Sequence, residues 1–148
     1  MELDHAIIAD GVSNRPDGKV DIYGAGWDTI FAPQVPAMHP QIALVLRLLI
    51  TPHELERPHT VLVVLLSADG HELARVEAQL NAMPLEQRQQ IPAGRSIGIA
   101  AVLNFVNVVF PDYGDYGIKI HWDGTETRDL RLHVTQLPTA QMPGTIGQ

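Results

Sequence analysis

Apolar and polar residues alternate along much of the chain with a period of two, the spacing that puts successive side chains on opposite faces of a strand. Between Tyr116 and Trp122, the residues Ile118, Ile120 and Trp122 share one face, while Lys119 and His121 share the other. Between Asp129 and Thr135, Leu130, Leu132 and Val134 alternate with Arg131 and His133. Asp123-Gly124 lies between these runs, so the two read as a hairpin with one buried side. A second hairpin is predicted across Pro58 to Leu80. It has the β-branched run Val61 to Leu66, a turn at Asp69-Gly70, and Ala74, Val76, Ala78 and Leu80 alternating with Arg75, Glu77 and Gln79. Its second half is rich in good helix formers, but a strand fits the short turn better.

At the front, Leu3 to Val12 and Lys19 to Tyr23 flank the turn formers Asn14 to Gly18, which predicts a third hairpin. Gly24 and Gly26 precede Trp27 to Phe31 and predict a bulge or bend there. Ile42 to Ile50 is apolar except for Arg47 and reads as a central strand; Thr51 and Pro52 then predict one capped turn of helix. Residues 81–94 form the longest polar connection, and Ile97 to Phe110 a long strand with a bulge at Asn104 or Asn107. The expected fold is all-β: a single antiparallel β-sandwich of about eight strands, Ig-like or jelly-roll-like. It should occupy residues 1–137, followed by a flexible, aperiodic tail at 138–148.

Composition narrows the chemistry. The 148 residues include 12 Gly and 11 Pro, which suits many turns, and no cysteine. That excludes a disulfide scaffold, a thiolate metal site and a cysteine nucleophile. The net charge of −7 and only two lysines leave no basic stripe for a phosphate backbone, so no nucleic-acid partner is expected. The acidic start Met1 to His5 lacks the basic segment of a signal peptide, and no apolar run nears the roughly 18 residues of a spanning helix. A cytoplasmic protein without a membrane span is expected.

Candidate chemistry is sparse. Of seven histidines, only His121 and His133 have geometric promise, as cross-strand neighbours on the polar face of the last hairpin. Solvated surface histidines are the simpler reading, so neither metal nor cofactor is expected. Gly24 to Trp27 does not match a phosphate cradle, no Gly-x-Ser-x-Gly elbow occurs, and the serines Ser13, Ser67 and Ser96 suit loops. No catalytic residue is assigned. Of the eight aromatic residues, Trp27, Tyr113, Tyr116 and Trp122 lie near glycine turns. Trp27, Tyr113 and Tyr116, together with Asp115, are the candidate ligand- or partner-binding residues, Phe110 to Tyr116 forming the candidate recognition loop. Trp122, sharing a face with Ile118 and Ile120, reads as core. Strict alternation along Asn104 to Phe110 places Val106, Val108 and Phe110 on one face and Phe105 and Val109 on the other. Both faces are then apolar, and Phe105 and Val109 are expected at an interface.

The segment Gly114-Asp-Tyr-Gly-Ile-Lys-Ile-His-Trp-Asp-Gly124, followed by an alternating last strand, resembles the closing hairpin of Ig-like sandwich modules. The longer pattern runs from Ala6-Ile-Ile-Ala-Asp-Gly11 through Gly24-Ala-Gly-Trp27 and the Asp69-Gly70 turn to the Gly-Asp-Tyr close. It is similar to a family of small bacterial proteins of unknown function, over about residues 3 to 136. These are turn and packing motifs, so the resemblance implies a fold and carries over no catalytic residue. The expectation is a noncatalytic binding or assembly module of a bacterial cytoplasm that self-associates or binds a protein partner. The alternative is a sandwich that binds a small molecule or carbohydrate through the aromatic loop. A hydrolase or metal enzyme built on His121 and His133 is a third.

Overall fold

The computed structural model describes residues 1–138. Most of the tail expected at 138–148 therefore lies outside the described residues. The strands are β1 (Glu2–Asn14), β2 (Val20–Ala25), β3 (Thr29–Ala32), β4 (Ala37–Ile50) and β5 (His59–Ser67). They continue with β6 (Glu72–Leu80), β7 (Ile97–Phe110), β8 (Gly114–Trp122) and β9 (Thr125–Gln136). One short helix, α1 (Leu85–Gln89), interrupts the polar connection, where only a loop was expected. The helical turn after Thr51 is a 3-10 turn at Glu54–Glu56, and the Thr51 hydroxyl accepts the Glu54 N–H at 3.3 Å as a cap would.

Two sheets pack face to face, one ordered β2-β1-β4-β7 and the other β3-β9-β8-β5-β6. The all-β sandwich holds, with nine strands among the described residues. It is not wholly antiparallel, because β3 runs parallel to β9, with Thr29 opposite His133 and Phe31 opposite Thr135. Between the sheets lie Ile42, Leu44, Leu46, Leu48 and Ile50 of β4, facing Val61, Val63, Leu65, Ile118, Ile120 and Leu132. The three expected hairpins form. Asp123 and Gly124 both take positive φ (48° and 85°), as a two-residue turn matched to strand twist requires. The segment 72–80 is a strand, its Leu73, Val76, Ala78 and Leu80 packed on the core edge.

The face assignment on β7 needs correction. Phe105 is 2% exposed and lies in the core with Val108 and Phe110, while Val106 and Val109 both point outward. The cause is local. Asn107 adopts φ 52°, in the left-handed region that asparagine tolerates better than most residues. The β4–β7 register places Pro40, which has no N–H to give the ladder, opposite it. Both strands reverse their facing at this pair, so pairing continues from Gln41–Val106 to His39–Val108 without a slip. The bulge was expected on β7 alone, and alternation had been carried straight through it.

A second feature appears at the other edge. β1 pairs with β4 only as far as Ala9–Ala43, and from there to Asn14 it pairs only with β2. The resulting two-stranded arm folds back over the outer face of its own sheet. Gly18, Lys19, Val20 and Ile22 of the arm thereby face Ile7, Val45, Arg47 and Ala100 across a groove. The reversal falls at Asp10 and Gly24, in the stretch where glycines predicted a bend. Gly24 takes φ 59°, and the Asp10 side chain occupies the space a Cβ would fill.

Gly24→Ala should therefore cost at least about 1–2 kcal/mol from left-handed backbone strain alone. Urea unfolding should show the loss, and amide exchange should accelerate selectively between residues 10 and 24 as the arm loosens.

Candidate functional site

The candidate recognition loop forms a real corner of the sandwich. Phe110 ends β7, and the chain reaches β8 through residues 111–113. Tyr116, near the start of β8, donates its hydroxyl to the Asp112 carbonyl at 2.7 Å and accepts the Asp112 N–H at 3.3 Å. This is the arrangement of a tyrosine corner in Ig-like sandwiches. The ring meets Phe110 edge to face, centroids 5.0 Å apart, and burial lifts the hydroxyl above the ordinary tyrosine range. Tyr116 is thus committed to the fold, its polar atom spent on backbone.

Tyr113 and Asp115 stay at the surface. The Tyr113 hydroxyl donates to the Ala32 carbonyl at 3.0 Å, tying the loop to β3. Asp115 lies 2.7 Å from Nδ1 of His133, its direct partner on β9. With the β5–β6 turn they line a cleft of about 380 Å³. Asp69, His71 and Asp112 also face it, so its lining is acidic. The Ser67 hydroxyl donates to Asp69 and holds that carboxyl below the usual range.

Trp27 is elsewhere. It sits on the crossover from β2 to β3, packs on the core edge, donates its Nε1–H to the Gly24 carbonyl at 2.8 Å and leans on the His39 ring at 5.6 Å. Its cleft, shared with Ala6, Ile8 and Leu130, has no residue in common with that of Tyr113. The four candidate residues therefore do not form one site. Nor do His121 and His133 meet: the register sets His121 opposite Glu126 and His133 opposite Asp115, which removes the proposed histidine pair. Among the described residues no three His, Asp or Glu side chains converge as metal ligands.

Sequence reasoning passed over the main polar cluster. His59 opens β5, is 2% exposed, and stacks on Trp122 with centroids 4.5 Å apart. Its Nδ1 lies 2.6 Å from Asp123 Oδ2 and its Nε2 lies 2.5 Å from the Glu54 carbonyl. Each ring nitrogen thus faces an oxygen acceptor. Asp123 Oδ1 also accepts the Thr60 N–H at 2.9 Å. One aspartate thus supplies the turn conformation between β8 and β9 and pins that turn to β5 and, through His59, to the 3-10 turn. Trp122 is half-buried and packs against the core, on the side of Ile118 and Ile120. The surface set Met38, Val106 and Val109 was also missed in part. Met38 is the cross-strand partner of Val109, and the three are 63%, 64% and 53% exposed. Finding them requires knowing that Pro40 sits opposite Asn107, which is a fact of register and not of either strand.

The structure thus defines a two-sheet β-sandwich domain whose surface carries an acidic corner cleft, a covered groove and an apolar patch. The chain belongs to a family of unknown function, DUF6941, which matches residues 4–135. No curated protein and no solved structure matches it. No helix among the described residues is long and apolar enough to cross a membrane.

Burial pushes the Asp123 carboxyl up, but hydrogen bonds from His59 and Thr60 and the charge of Arg57 outweigh it and hold it below the ordinary aspartate value of 3.8. A carboxyl depressed in the folded state stabilises above its unfolded value, and that contribution is lost as pH falls through the folded value. Urea midpoints should therefore drop on acidification below about pH 4. Asp123→Asn, which keeps a residue suited to the turn, should be less stable at neutral pH and lose part of that acid-dependent drop.

Proposed function

We propose that the chain is a noncatalytic binding module that associates with a second copy of itself through the outer face of the β4–β7 pair. The observation that carries this reading is the apolar patch of Met38, Val106 and Val109, contiguous with Pro40 at the point where both strands reverse their facing. Contiguous exposed apolar side chains inside a polar rim mark association surfaces. Beside it Gln41 donates to Asn104 at 3.2 Å, and Asn107 follows Val106 along β7. Each chain carries a net charge of −7, so a two-fold contact on this face would join two acidic molecules through apolar side chains. The same acidic balance speaks against a nucleic-acid partner, and the reading places the module in a bacterial cytoplasm. Sedimentation velocity should show concentration-dependent dimers that Met38→Lys with Val109→Lys converts to monomers of unchanged unfolding temperature. A strict monomer at every concentration overturns self-association and leaves a different protein as the partner.

The corner cleft favours a second reading, a binder of a small polar molecule or carbohydrate, with Tyr113 as its exposed ring and Asp115, Asp69 and Asp112 as acceptors. Trp27 drops out of it, and Tyr116 lines the cleft with its hydroxyl already bonded to backbone. A saccharide panel should then raise the unfolding temperature of the parent and leave Tyr113→Ala unmoved; no shift with any member of the panel counts against this reading.

A further inference from the structure

We propose that the groove beneath the β1–β2 arm binds a small amphiphile with an unbranched apolar body and one anionic end, such as a medium-chain carboxylate. The groove holds about 370 Å³, within the range of small-molecule sites. Its walls are apolar on both sides, with Val20 and Ile22 on the arm and Ile7 and Val45 on the sheet. Val45 projects away from the core and is still only 6% exposed, so the arm removes it from water. Two small residues of β7 deepen the floor. Ala100 leaves room for a chain, and Gly98 lets the Arg47 guanidinium lie flat, since a Cβ there would meet its Nη2 at 3.0 Å.

The ends of the groove differ from its walls. Lys19 and Arg47 stand on opposite sides, one on the arm tip and one on β4, with His5 beside Arg47. Arg47 gives one N–H to Asp4 and keeps others free for a second acceptor. The carboxylates nearest Lys19 in sequence, Asp17 and Asp21, both face Arg15, and Lys19 forms no ion pair among the described residues. In a chain with ten Lys and Arg against 17 Asp and Glu, a cationic mouth on an apolar groove is a local reversal of the overall charge. That combination selects an anionic head with an apolar tail, and it excludes a polar sugar, which would strip water from its hydroxyls against Ile7 and Val45.

The site is independent of the association patch, which lies at the other end of β4. Decanoate, titrated into the full chain below its micelle concentration, should give saturable NMR shifts confined to Ile7, Val20, Ile22 and Val45. Affinity should rise roughly threefold to fourfold for each methylene from octanoate to decanoate. Lys19→Glu should weaken binding roughly fivefold to tenfold, and decylammonium should not compete. Ala100→Phe should fill the groove and abolish binding. Should that variant fail to fold, Ile22→Glu, on the exposed arm, places a charge in the apolar wall to the same end. Non-saturable shifts, shifts elsewhere, equal affinity in Lys19→Glu or equal binding of decylammonium would each overturn the proposal.

Discussion

Burying both faces of β4 is the constraint around which the rest of the domain is arranged. Its even-numbered residues from Ile42 to Ile50 fill the space between the sheets, and Ala43 and Val45 on the opposite face are as well hidden. A strand apolar on both sides is ordinarily a central strand covered by helices or a second layer. Here the inner cover is the five-stranded sheet and the outer cover is the chain's own hairpin. Removing a Val or Ile side chain from water is worth about 1.5–3 kcal/mol. Ordering backbone costs about 1–2 kcal/mol per residue. The apolar contacts under the arm therefore cannot by themselves offset the ordering of Asp10 to Gly24. The ladder between β1 and β2 and the fixed reversal at Gly24 carry the remainder.

The polar cluster acts where the chain leaves β4 and enters β5. Trp122, His59 and Asp123 close the gap between the β8–β9 turn and the start of β5, and Glu54 joins the 3-10 turn to them. A buried, hydrogen-bonded histidine of this kind is costly to break because each freed partner would be left unsatisfied. Its geometry is that of a clasp: both ring nitrogens of His59 and both carboxylate oxygens of Asp123 are engaged with one another or with backbone.

Much of the sandwich is legible in the period-two alternation of β6, β8 and β9, because those strands have one wet face and their bulges, at Leu73 and Thr127, fall near the strand starts. The Asp-Gly pairs are legible for a chemical reason, positive φ. What sequence could not supply are effects that depend on two distant segments at once. Phe105 lies inside because Asn107 meets Pro40, and no inspection of β7 alone reveals that partner. Val45 is buried because a hairpin that leaves the sheet at Ala9 comes back over it. Tyr116 has the composition of a recognition residue and the position of a corner, and only the bond to Asp112 separates the two. Trp27 and Tyr113 share a neighbourhood of glycines in sequence and no cleft in space.

The parallel pairing of β3 with β9 also bears on how the chain can fold as it is made. β9 is an interior strand, flanked by β8 and by β3, and its partner β3 precedes it by on the order of a hundred residues. Until the ribosome has released β9, β3 has no neighbour in its sheet, and Ile30 and Ala32 have no stable place in the core. The first sheet can assemble its β2-β1-β4 part early, but the second cannot be completed strand by strand from its front. Closure of the sandwich therefore waits for β9, and a nascent chain stalled before it presents an unpaired, partly apolar edge to whatever meets it first.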